Sequence, residues 1–228
     1  MWSKSGWIVP GKGNMPGNAP PRNFQSLPEL RRSLPAALAR LAAELDTIPS
    51  TEQLRLLTDT RDLHRRLFAP LLPPALQHAA GIYRGEPGTP LADLERSVFI
   101  ARQAPGLKAE HRCTKAAKVA SAMQELAGRI SAIWTGPHLS RDDAYAALAE
   151  VSYRFLAVHP YMDGNGHIYR LILPLLALRL GLRARTEWTL HPRPYDHVMS
   201  LCLQWYPHHP ELLACYLRRW FDPVDSKG

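Results

Sequence analysis

The chain has 228 residues, of which 46% are hydrophobic and 21% charged, with a formal net charge of +8 and a pI near 9.7. That composition fits one globular domain with a full core and excludes a disordered or collagen-like chain. Cys113, Cys202 and Cys215 are widely spaced with no C-x-x-C pair, so a disulfide framework or cysteine zinc site is not expected and a reduced cytoplasm fits best.

The basic excess favours an acidic partner, but the arginines are scattered along helices without a Lys/Arg run. A solvated basic surface explains them, and a nucleic-acid partner is not expected. Met1 to Val9 lacks the apolar core of a secretory signal, and Leu171 to Leu178 is too short and contains Pro174. The expectation is therefore no membrane partner and a cytoplasmic chain, with delivery into another cell left open. His208, His209 and Cys202 lie close in sequence but off helical metal spacing.

In chain order, residues 1 to 28 are rich in Gly, Pro and Asn and read as a flexible arm, with Trp2 and Trp7 as candidate contacts to the body. Residues 29 to 228 read as a single domain with a core at about 50 to 205. Pro28 to Leu45 has helical composition, and Pro35 is expected to shorten or split it. Pro49-Ser50 opens a second helix carrying Leu54, Leu57, Leu63 and Leu67 on one side. Ser97 to Ala101 is the β-prone run, between turns rich in Gly and Pro, with a short helix expected around Leu91 to Arg96.

Val119, Met123, Leu126, Ile130 and Ile133 form a helical core stripe, ended by Thr135-Gly136-Pro137. Ser140 and Asp143 resemble a capping box, after which Tyr145, Leu148, Val151, Phe155 and Val158 recur at helical spacing. The next helix is apolar nearly all round from Ile168 to Leu178, so it should be central and buried. Arg170 is the charge near its start. Burying it alone costs several kcal/mol, so a phosphate or an internal carboxylate is expected beside it. Gly181 stops the helix. His191 and Arg193 could reach the site, although a capped loop is the expected role, ahead of helices near 195 to 205 and 209 to 221.

Between the two central helices lies His159-Pro160-Tyr161-Met162-Asp163-Gly164-Asn165-Gly166-His167-Ile168-Tyr169-Arg170. Gly164-Asn165-Gly166 suits a turn that lets a ligand approach the backbone at a helix N-terminus, where N–H groups and the dipole favour an anion. His159 is a candidate base and Asp163 a carboxylate for a cation. His167 and Arg170, one turn apart, are candidate phosphate donors. Together they point to phosphoryl or nucleotidyl transfer.

This run resembles the signature of the Fic/Doc family, H-P-F-x-(D/E)-G-N-G-R-x-x-R, with Tyr161 in place of Phe and His167 in place of the first Arg. Leu63-His64-Arg65-Arg66-Leu67-Phe68 and Ala80-Gly81-Ile82-Tyr83-Arg84 resemble the family's upstream helix end and corner. The resemblance implies an all-α, Fic-like helical bundle around a central buried helix, with a small β-hairpin flap near residues 85 to 105. It implies a protein adenylyltransferase moving AMP from ATP to a Ser, Thr or Tyr hydroxyl of a target held at the flap. In that reading His159 is the base and Asp163 holds Mg²⁺. Gly164, Asn165 and Gly166 cradle phosphates, and Arg170 contacts the terminal ones.

Neutral imidazole brings one donor where guanidinium brings five and a charge. If His167 instead works by carrying a proton, activity should fall as pH rises through about 6.5. Ser121 to Leu126 has the spacing of the family's inhibitory motif but the wrong last residue, so regulation is expected from a separate partner protein. Two other classes stand beside this reading: a nucleotide-binding scaffold without turnover, and a basic helical protein that binds nucleic acid.

Overall fold

The protein was analysed as a computed structural model, which describes residues 24, 27–100, 109–195 and 197–224. The Gly/Pro-rich arm, apart from Phe24 and its last two positions, lies outside the described residues. Phe24 itself is fully buried against Phe68.

Helix α1 spans Pro28–Leu45 and runs unbroken through Pro35, contrary to the expected split. Its stripe of Leu30, Leu34, Ala37, Leu38, Leu41 and Leu45 is buried, whereas Pro35 and Arg31 face solvent. Pro35 thus costs the helix one internal hydrogen bond on its exposed side, and packing of the stripe on the body holds the helix together.

The expected second helix is two: α2, Ser50–Thr58, and α3, Arg61–Phe68. Asp59 adopts an extended backbone, and its carboxylate accepts from the Arg61 backbone N–H (3.1 Å) and side chain (2.8 and 2.6 Å). Thr58-Asp59-Thr60 are residues whose side chains compete with helical bonding, which was the overlooked signal.

Turns and 3-10 segments occupy residues 69–96, with no α-helix around Leu91 to Arg96. Strands β1, Ser97–Ile100, and β2, Ala109–Arg112, pair antiparallel with Ser97 opposite Arg112. The hairpin thus begins and ends later than the expected 85 to 105, because 85–96 is spent on turns. The residues joining the strands lie outside the described ones.

Helix α4, Val119–Thr135, buries all five residues of its stripe, and α5, Arg141–Val158, starts with Asp143 N–H on Ser140 Oγ (3.2 Å). Helix α6, Asn165–Arg179, is buried on almost every face, with Leu178 exposed near its end. Helix α5 packs on α4, α6 and the helix at Pro210–Leu217. Beyond Gly181 (φ 72°), strand β3, Leu182–Ala184, pairs antiparallel with β4, Phe221–Pro223, a small second sheet not expected from the sequence. Its strands are three residues each, too short for an alternation signal. Helices α7, His197–Trp205, and α8, Pro210–Leu217, lie between them. The Tyr145 hydroxyl ties α5 to this sheet through the Phe221 carbonyl at 2.7 Å. No helix among the described residues is long and apolar enough to cross a membrane.

Pro174 sits inside α6 and deprives the Arg170 carbonyl of its helical donor. Trp188 Nε1–H donates to that carbonyl at 3.3 Å, so the loop after β3 completes the central helix. Trp188→Phe should therefore cost about 2–3 kcal/mol in denaturant unfolding, about 1 of it from the lost hydrogen bond and the rest from the space the smaller ring leaves among Tyr169, Tyr195, Trp220 and Phe221. In a Pro174→Ala background, where the helical N–H returns, the same change should cost about 1 kcal/mol less, because only the packing loss remains.

Candidate active site

The signature loop is positioned by two buried side chains from the upstream fragments. His64, on α3, is completely buried. Its Nδ1 accepts the Gly81 N–H at 2.9 Å and its Nε2 lies 3.0 Å from the Asp163 carbonyl, so the neutral ring carries its proton on Nε2 and bridges both segments. Its face stacks on Tyr161 with centroids 3.9 Å apart. Arg84 is also fully buried, and its guanidinium donates to the carbonyls of Leu94 (2.8 Å), Thr114 (3.0 Å), Val158 (2.8 Å) and His159 (2.8 Å). One side chain therefore fastens the feet of the hairpin to the end of α5.

His159 occupies the left-handed region (φ 51°, ψ 61°), a conformation that costs a non-glycine residue about 1–2 kcal/mol. Its N–H is held by the Phe155 carbonyl at 3.0 Å and its carbonyl by Arg84, and this turn directs the chain from α5 into the loop. Asp163 is buried, with Oδ1 accepting the Gly164 N–H at 2.7 Å.

Gly164 (φ 82°) is required twice over, since a Cβ there would stand 2.3 Å from the Phe68 ring. At Gly166 an added Cβ would meet Arg170 Nη1 at 3.3 Å and the Tyr195 hydroxyl at 3.8 Å, so this glycine keeps the space before α6 open.

The Asn165 side chain does not face a ligand. Its Oδ1 accepts the Tyr161 N–H (2.8 Å) and its Nδ2 donates to the Tyr161 carbonyl (2.9 Å), closing the loop on itself. Only its backbone, with that of Gly166, is placed to meet an anion, because the first N–H groups of a helix lack intrahelical partners. The Tyr161 hydroxyl, the departure from Phe, pairs with Thr60 Oγ1 at 2.6 Å, at the break between α2 and α3.

Arg170 and His167 are both buried in the first turns of α6. The partners of Arg170 are neutral: the Leu190 carbonyl on Nε (2.7 Å) and the Tyr195 hydroxyl on Nη1 (3.3 Å). Among the described residues no carboxylate pairs with it. His167 Nδ1 is buried without a hydrogen-bond partner. The His167 ring lies against His191, 5.8 Å between centroids and 22° between planes. The segment from Trp188 to Tyr195 is thus a wall of the site, so that of the two roles open to Leu190–Tyr195 in the sequence, capped loop or reach to the site, His191 takes the second. Nothing in its local pattern showed which helix it would meet.

Glu125 lies exposed on α4. Among the described residues no group of three or more His, Cys, Asp or Glu side chains is arranged to hold a metal ion.

Burial lowers the pKa of His64 to about 4 and of His167 to about 3, with Arg170, His191 and His64 adding repulsion at His167. His167 is therefore neutral at physiological pH, and the expected fall in activity through pH 6.5 from a protonated His167 does not apply to the free protein. Both rings are protonated more readily in the unfolded chain, whose imidazoles titrate near 6.5. Stability should be greatest above that pH and decline as pH falls through it towards about 4 for His64 and about 3 for His167. By pH 5 each should have withdrawn roughly 2 kcal/mol. Denaturant unfolding at pH 7.5 and 5.0 measures this, and His167→Gln should reduce the difference by about its half.

The Fic/DOC family model matches residues 54–177, more than half of the chain. No curated protein sequence is recognisably similar. Among solved structures, the chain is similar to the N-terminal Fic domain of a putative cell filamentation protein, a VirB-translocated Bep effector, from Bartonella quintana. That domain aligns with TM-score 0.57 and 19% identity, covering 86% of this chain and 84% of that one. Its form with bound ADP gives TM-score 0.59, 20% identity and 86% of both chains. BepC from Bartonella tribocorum with bound AMPPNP gives TM-score 0.57, 13% identity, 85% of this chain and 87% of that one. At these identities the structural likeness speaks for the fold, and the family model for the sequence: the chain belongs to the Fic/DOC family.

Proposed function

We propose that the chain is a nucleotidyltransferase that binds ATP and moves AMP to a Ser, Thr or Tyr hydroxyl of a target protein. The observation that carries this reading is the pair at the start of α6: a buried Arg170 with only neutral partners and a buried His167 with an unpartnered Nδ1. Both stand beside helix N–H groups that suit a phosphate. The solved structures with bound ADP and AMPPNP support a nucleotide as the source of that phosphate.

His159, at the entrance to the loop, accepts the hydroxyl proton as the oxygen bonds to the α-phosphorus and pyrophosphate leaves. The N–H groups of Asn165 and Gly166, with Arg170, hold the phosphates and stabilise charge on the leaving group. Mg²⁺ needs only one or two protein carboxylates beside substrate phosphates, so Asp163 fits it without a dedicated cage. Bound there, the ion would neutralise phosphate charge. The target segment is taken to lie along the hairpin of β1 and β2 as an added strand. A separate inhibitory protein is the proposed regulator, since Glu125 faces solvent. The reaction is placed in the cytoplasm, either of the producing cell or, like the VirB-translocated relatives, of another.

A second reading, a nucleotide-binding module without turnover, is favoured by one observation, the uncharged His167. Incubation with α- and γ-labelled ATP, GTP, CTP and UTP, Mg²⁺ and a cell lysate separates the two. The expected result is α-label on a lysate protein, lost at least 100-fold in His159→Ala. γ-Label alone would replace nucleotidyl with phosphoryl transfer. Nucleotide retained by the protein with no label transferred would favour the module.

A further inference from the structure

The segment from Trp188 to Tyr195 is stapled to the first turns of α6 by four contacts. Trp188 Nε1 reaches the Arg170 carbonyl (3.3 Å), and the Leu190 carbonyl takes Arg170 Nε (2.7 Å). The Tyr195 hydroxyl accepts from Arg170 Nη1 (3.3 Å), and the His191 ring lies over His167 (5.8 Å). The Thr189 hydroxyl donates to the Pro192 carbonyl at 2.8 Å and fixes the turn between them. None of these contacts uses the proton of the Tyr195 hydroxyl. That hydroxyl faces Gly166, 3.8 Å from where a Cβ would stand, and so borders the space the glycine leaves open.

His167 is 4% exposed, and its buried Nδ1 has no hydrogen-bond partner among the described residues. The neutral ring carries one N–H, and a phosphate oxygen that reaches the unpartnered Nδ1 selects the tautomer that donates there. The ring is thus a neutral donor, and the exposed His191 stacked on it is a second.

We infer that His191 and Tyr195 contact the phosphates of the bound nucleotide, so that His167, His191 and the Tyr195 hydroxyl together supply the donors that a second guanidinium would bring. The inference rests on the nucleotide reading above. Three neutral donors around Arg170 match a polyphosphate whose charge a divalent cation has already reduced. Each neutral donor contributes less than a charged one, so no single residue dominates.

Trp188 sits 5.9 Å from Tyr195, and its fluorescence is a reporter for binding. Titration of the full chain, His191→Ala and Tyr195→Phe with ATP, ADP and adenosine, each with Mg²⁺, tests the inference. Calorimetry checks each Kd. Each variant should weaken ATP and ADP about 5- to 20-fold and adenosine less than 2-fold, with Tyr195→Phe still unfolding cooperatively and its thermal midpoint lowered only by the one lost Arg170 hydrogen bond. Unchanged ATP and ADP affinity in both variants, while the unmutated chain binds, would overturn the inference and leave the nucleotide reading standing. An equal loss for adenosine would show a merely structural role and overturn it as well. No binding of any nucleotide by the unmutated chain would remove the nucleotide reading, and the inference with it.

Discussion

Everything at the candidate site depends on a guanidinium that meets no ligand. Arg84 is sealed from solvent and gives its N–H groups to four backbone carbonyls from three parts of the chain. Burial lowers its pKa, the sign that desolvation is the main force on it, yet arginine remains charged under ordinary conditions. Each carbonyl left without it would be a buried, unpaired acceptor. Because Leu94 and Thr114 flank the hairpin while Val158 and His159 end α5, the same charge sets both the strand edge and the candidate base. A loose hairpin and a misplaced His159 are therefore one failure, not two.

His64 performs the matching task on the other side of the loop. Its two ring nitrogens join the Gly81 N–H to the Asp163 carbonyl, a division of labour open only to a neutral imidazole. The low pKa is thus part of the design: the ring must stay uncharged to accept at one nitrogen while donating at the other. Phe68, one turn further along α3, fills the space that Gly164 leaves empty. The loop is therefore shaped from below by α3 and from the side by Arg84, and its own Asn165 closes it from within. Preorganisation of this kind spares the ligand the cost of ordering the loop.

The two departures from the family signature have different physical outcomes. At Tyr161 the added hydroxyl is absorbed, because the break between α2 and α3 brings Thr60 within hydrogen-bonding reach. At His167 no charge takes the place of a guanidinium's among the described residues. The neighbouring arginine and the other imidazoles instead oppose a proton there.

The sequence alone determined the helical class, the buried course of α6, the stripes of α4 and α5, and the loop residues from His159 to Arg170, since these follow from local periodicity and contiguous chemistry. It also exposed the two upstream fragments, though not why they accompany the signature. Their reason is contact: His64 and Arg84 meet residues about 75 to 100 positions away, and Gly81 joins them through His64. Tertiary structure alone decided that α1 survives Pro35, that Asp59 divides the second helix, and that three-residue strands pair across 37 positions. It alone gave the Asn165 side chain to the loop, laid the segment from Trp188 to Tyr195 against α6, and set the protonation of His167. Propensity acts between near neighbours, whereas these outcomes depend on which distant groups share one dry interior.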